Sequence, residues 1–106
     1  MKTIGIVQEL HKKAIKNPNQ WIRKNSYLGY FDKKRGTFEL AHYGTVIMRY
    51  DVATWAIGKG AYSASDRDAI NTILGEIGER SIRARIKNFC MGVEGVNSNR
   101  AFVGLV

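Results

Sequence analysis

Apolar residues recur at Ile4, Val7, Leu10 and Ala14, while Gln8, Glu9, Lys12, Lys13 and Lys16 fall mostly on the other side. That three-to-four spacing predicts an amphipathic helix over residues 3–17. Thr3 is positioned to cap its start. Pro18 disfavours helical geometry at Asn17, so the helix should stop at Lys16 or Asn17. Asn19 is then placed to cap a short turn that presents Trp21 and Ile22 to the core.

From Ser26 the pattern shifts to short aromatic and β-branched runs broken by turn residues, which predicts a meander. Strands are expected over residues 27–32, 37–43, 45–50 and 54–57. Lys33, Lys34, Arg35 and Gly36 form a polar turn, and Gly44 marks either a bulge or a tight bend. Gly58 and Gly60 then weaken regular pairing. The sheet is placed over residues 26–62.

Ile70, Ile73, Leu74 and Ile77 restore helical spacing, and Ser65 precedes them together with Asp66 and Asp68. A helix over residues 65–78 is predicted, with Ser65 as its cap, acids such as Asp68 suited to the positive end of the dipole, and Gly78 as its stop. Beyond it Ile82, Ala84 and Ile86 alternate with Arg83, Arg85 and Lys87, as in a half-buried strand with a cationic outer face. A helix over residues 79–91 competes, because Ile82 and Ile86 are also four apart. Gly92, Gly95 and Gly104 break the tail, and residues 101–106 read as an edge strand or a loose end. The expected fold class is α+β, in one domain over residues 1–106 whose adjacent strands pair antiparallel.

Composition changes this picture little, but charge adds to it. The chain has 106 residues, one proline and one cysteine, so a single core fits and an internal disulfide does not. No apolar stretch approaches a membrane span or a signal-peptide core, and a lone thiol suits a reducing cytoplasm. The net charge of +8 is uneven. Residues 1–25 carry +5, residues 65–79 carry −3 and residues 80–92, which include Arg80, carry +4. Such a field favours anionic partners, whether nucleic acid, nucleoprotein or an acidic protein surface. The candidate partner-binding residues are Lys12, Lys13, Lys16, Arg23 and Lys24 on the N-terminal side and Arg83, Arg85 and Lys87 on the late strand. Tyr27, Tyr30, Phe31 and Tyr43 could stack on bases where they face outward, although aromatics in a meander more commonly fill a core.

Catalytic patterns are sparse. Cys90 lies among Phe89, Met91 and Val93 and reads as a small buried hydrophobe, without the local signature of a nucleophile. Asp66 and Asp68, with Glu76 or His42, could hold a hard cation chiefly through the carboxylate oxygens, but helix-start acids already have a structural use. Gly58, Lys59 and Gly60 fail the phosphate-loop pattern, because no Ser or Thr follows the lysine. No Ser-His-Asp order stands out. The expectation is a protein with no catalytic residues, no metal and no cofactor.

HYGTVIMRYD from His42 and the GAYSASDRDAIN segment that follows resemble an uncharacterised family of small proteins from phages and mobile elements of Gram-positive bacteria. The likeness spans residues 38–77, with its most specific positions at residues 42–45 and 65–71. It implies a shared strand-turn-helix core and assigns no activity. It also implies a biology: small phage proteins commonly occupy a host macromolecule, and the chain is similar in kind to anti-CRISPR inhibitors. The expected function is binding and inhibition of a bacterial defence nucleoprotein in the host cytoplasm. Direct DNA or RNA binding for the phage is the alternative, and a homodimer is compatible with either.

Overall fold

A computed structural model describes residues 2–79, 81–87, 90–95 and 100–105. Helix α1 (Thr3–Lys16) ends where Pro18 requires, with both the backbone and side-chain amides of Asn17 donating to the carbonyl of Lys13. Its start departs from expectation: Thr3 is the first helical residue, and the cap position is Lys2, which contributes no side-chain bond. The buried stripe is Ile6, Val7, Leu10, His11 and Ala14, leaving Ile4 on the exposed side.

The segment expected as a short turn is a strand, β1 (Trp21–Lys24), antiparallel to β2 (Tyr27–Asp32). Asn19 causes the difference. It adopts a left-handed φ of 65°, donates its backbone N–H to the Phe31 carbonyl and accepts the Lys33 N–H on its side-chain oxygen, which lays the following residues alongside β2. Strand alternation then turns Ile22 toward the core and Trp21 toward solvent, 49% exposed, so only half of the expected Trp21–Ile22 burial occurs.

The meander continues through β3 (Thr37–His42), β4 (Thr45–Tyr50) and β5 (Thr54–Ile57), each antiparallel to the last. Tyr43 and Gly44 both take positive φ, 50° and 82°, and form a two-residue hairpin turn of the kind that follows strand twist. The irregularity in pairing lies further along, where Leu40 faces Met48 but Ala41 faces Val46. The extra residue, Ile47, lets Ile47 and Met48 both enter the core. Gly58 is fixed by close approach, because a Cβ there would lie 1.9 Å from the carbonyl oxygen of Val46.

Helix α2 (Ala64–Glu76) starts one residue before the expected cap. Ser63, not Ser65, is the cap: its hydroxyl accepts the Asp66 N–H at 3.0 Å, and the Asp66 carboxylate accepts the backbone N–H groups of Tyr62 and Ser63 at 3.1 and 3.2 Å. This is a reciprocal capping box, and it needs its acid three residues after the serine. Ser63 and Asp66 meet that spacing. Ser65 and Asp68 also do, but Ser65 lies inside the helix with an exposed side chain, and Asp68 pairs with Arg67 at 3.1 Å.

β6 (Arg83–Lys87) is a strand, as the period-two pattern predicts, and pairs with β7 (Cys90–Glu94) in a separate two-stranded sheet. Asn71 of α2 docks it: the side-chain amide donates to the Ala84 carbonyl and its oxygen accepts the Ala84 N–H at 2.7 Å, as a neighbouring strand would. Cys90 is exposed rather than buried, because it opens β7 at the rim of the hairpin; its expected neighbour Phe89 lies outside the described residues. β8 (Ala101–Leu105) joins the large sheet at its edge, parallel to β5, in the order β1-β2-β3-β4-β5-β8.

The fold is thus α+β, with a mostly antiparallel sheet. α1 and α2 cover one sheet face, over a core that includes Phe38, Leu40, Met48, Trp55, Ile70 and Ile73, and Ile82 and Ala84 extend it under β6. Arg100 ties the far end together. Its side chain donates to the carbonyls of Asp51 and Ile77, and its backbone N–H donates to the buried Glu79 carboxylate. No described helix is long and apolar enough to cross a membrane.

Candidate functional site

The predicted cations fall into two groups. Lys12, Lys13 and Lys16 stand on the exposed side of α1, and Arg23 is exposed on the face of β1 turned away from that helix. Lys24 is drawn away: its ammonium is 2.6 Å from Glu9, and that contact holds the Glu9 carboxyl below its usual range. On the other flank Arg83, Arg85 and Lys87 occupy the outward face of β6, where Arg85 pairs with Glu94 at 2.6 Å. Among the described residues, Lys12, Lys13, Lys16, Arg23, Arg83 and Lys87 have no acidic partner within ion-pair distance. Arg80 lies outside the described residues.

The fold does not merge the groups into one positive surface. α1 and β6 both pack on α2, and between them runs a groove of about 470 Å³ whose walls include Asp68, Glu76, Glu79, Ile4 and Arg83. Glu76 and the Arg67-paired Asp68 on this groove lie between the two basic flanks, while Glu79 is buried and accepts the Arg100 amide.

The sheet face away from the helices is open. Trp21 and Tyr30 sit opposite each other across β1 and β2 with ring centroids 5.2 Å apart, and Arg23 and Arg49 are exposed on the same face. Asp32 and Glu39 interrupt the positive charge there. Of the other aromatics considered for stacking, Tyr27 is buried, Phe31 packs against the core and Tyr43 is 82% exposed.

A third arrangement is absent from the sequence reading. Ser26 belongs to the two-residue turn between β1 and β2, and His42 ends β3 directly before the Tyr43-Gly44 turn; the Tyr43 N–H donates to the Ser26 carbonyl at 3.0 Å. Two adjacent hairpin turns thus converge on the start of α2. His42 Nδ1 lies 2.7 Å from Asp66 Oδ1, and His42 Nε2 lies 3.0 Å from the Ser26 hydroxyl. Burial pushes the Asp66 pKa up, but hydrogen bonds from His42, from the Tyr62 and Ser63 amides and from the Ser63 side chain outweigh it and leave the carboxyl below its usual range. An ionised carboxylate can only accept, so Nδ1 carries a proton and donates, and in the neutral ring Nε2 is then the acceptor for the Ser26 O–H.

The imidazole is held on both faces as well. Tyr27 stacks on it at 4.1 Å and 7°, and Tyr43 at 4.5 Å and 28°. Ser26, His42 and Asp66 all line one cleft of about 410 Å³, whose wall also carries Thr3, Ile47 and the 72%-exposed Tyr62. The other histidine has a different setting. His11 is buried with its Nε2 2.6 Å from the Tyr50 hydroxyl; burial lowers its pKa to about 4 and raises that of Tyr50 to about 12.

The S-x-x-D spacing of Ser63 and Asp66 was the available sequence signal for the buried carboxylate. Nothing local marks Ser26, which reaches His42 only through strand register. Among the described residues, no group of three or more His, Cys, Asp or Glu side chains is placed to hold a metal ion. Comparison with protein-family models, curated proteins and solved structures finds no match for this chain.

Proposed function

We propose that this chain is a binding domain for an anionic macromolecular assembly, and that its partner is a nucleoprotein. The observation that supports this reading is the separation of the predicted cations that stay exposed and unpaired, Lys12, Lys13 and Lys16 on α1 and Arg83 and Lys87 on β6, by the groove along α2. A continuous phosphate track favours an unbroken basic stripe. A partner that alternates phosphate with protein surface tolerates, and can use, a groove between two basic contacts. In the setting implied by the resemblance to small phage proteins, such a domain acts by occupying a bacterial defence nucleoprotein and blocking it.

The open sheet face favours a second reading. Paired Trp21 and Tyr30 beside Arg23 and Arg49 offer stacking and charge together, as direct single-strand binding requires. One experiment separates the two: tagged protein is used to recover partners from a bacterial lysate, with and without nuclease. The nucleoprotein reading expects a protein effector that remains bound after nuclease treatment. Recovery of nucleic acid alone, lost on digestion and weakened by Trp21→Ala, supports the second reading and overturns the first.

A further inference from the structure

Ser26, His42 and Asp66 are arranged as nucleophile, base and orienting acid, although the residues alone gave no sign of a catalytic set. Each of the two links has the length of a real hydrogen bond, 3.0 Å from Ser26 to His42 and 2.7 Å from His42 to Asp66. The base nitrogen faces the hydroxyl, the other nitrogen faces a carboxylate, and the two stacked tyrosines restrain the ring plane. A structural clamp between sheet and helix needs only the His42–Asp66 bond. The serine on the far nitrogen, in a cleft, is the additional feature.

We propose that Ser26, His42 and Asp66 form an acyl-transfer site for a small carboxylic ester. The cleft's volume, about 410 Å³, lies in the range of small-molecule sites, and its lining mixes Tyr27, Ile6 and Ile47 with polar groups, as an ester with a short apolar acyl chain requires. In the step, Ser26 Oγ bonds to the carbonyl carbon as its proton passes to His42 Nε2. The carbon–oxygen bond to the alcohol then breaks, and the departing alkoxide takes that proton from His42. Water, deprotonated by the same nitrogen, attacks the Ser26 ester and releases the acid, restoring the hydroxyl. No co-reactant beyond water is needed. Ser65 lines the cleft in the first turn of α2, where a backbone N–H has no intrahelical acceptor, and in the proposed step that amide is the donor to the carbonyl oxygen.

The test uses a fluorophosphonate probe, whose phosphorus bonds to an activated serine with loss of fluoride, followed by intact-mass measurement and peptide mapping. The wild-type protein should gain one adduct, at Ser26, and Ser26→Ala should gain none. His42→Gln, which retains a donor toward Asp66 but no base, should label about 100-fold more slowly while circular dichroism shows it folded. Hydrolysis of p-nitrophenyl butyrate should follow the same order. Folded wild-type protein without an adduct at Ser26, or labelling that heat-unfolded protein shows equally, overturns the proposal whatever the variants do. Equal rates in folded His42→Gln overturn it too. None of these results depends on whether the chain binds a nucleoprotein.

Discussion

At the residue scale, Ser63 and Ser65 look interchangeable in the string YSASD, and the structure separates them by one geometric fact. Only the Ser63 hydroxyl reaches the Asp66 amide, while Ser65 engages Tyr27 through its backbone carbonyl alone. Ser63→Ala should therefore cost about 1 kcal/mol, and Ser65→Ala less than about 0.5 kcal/mol, in urea unfolding. Equal losses would place the cap where the apolar spacing alone put it. His11 makes a second residue-scale case. Its pKa is about 4 folded and near 6.5 when the chain unfolds, so in that interval the unfolded state binds the proton and stability rises with pH. Lowering the pH from about 7.5 to about 5 should remove roughly 2 kcal/mol through this group. His11→Gln, which cannot titrate, should lose that component, and a variant as acid-sensitive as the wild type contradicts the assignment.

At the scale of elements, periodicity carried most of what was legible. The α1 and α2 stripes, the strands from Tyr27 to Ile57 and the late basic strand follow from spacing, because burial of one face dictates which residues are apolar. What spacing could not carry is anything set by a partner far along the chain. β1 forms because Asn19 bonds to Phe31 and Lys33, β6 leaves the large sheet because Asn71 takes both backbone groups of Ala84, and Cys90 is exposed because its hairpin ends in solvent. The same limit hid the Ser26–His42–Asp66 cluster, whose members meet through register. Asn71→Ala should leave the Ala84 N–H and C=O without their partners and destabilise the chain by about 2 kcal/mol, read by thermal or urea unfolding. A neutral result would show that β6 does not need this clasp. Gly58→Ala should be worse, on the order of 3 kcal/mol or more, because its Cβ would meet the Val46 backbone rather than a movable side chain.

For the whole molecule, charge is the property that the fold rearranges most. The sequence places two basic blocks around an acidic helix, and the three-dimensional arrangement keeps them apart, with a groove along α2 between α1 and β6. Of the predicted partner-binding cations, Lys24 and Arg85 are engaged by Glu9 and Glu94, while Lys12, Lys13, Lys16, Arg23, Arg83 and Lys87 are exposed without an acidic partner. All of these side chains are exposed, so reversing their charge should leave stability nearly unchanged and act on binding alone. The most direct measurement compares wild type with the combined variant Lys12→Glu, Lys13→Glu, Arg83→Glu and Lys87→Glu in nuclease-treated recovery from bacterial lysate, quantified by mass spectrometry. The wild type should retain a nucleoprotein effector and the folded variant at least tenfold less of it; equal retention by both proteins would contradict a role for these cations in binding.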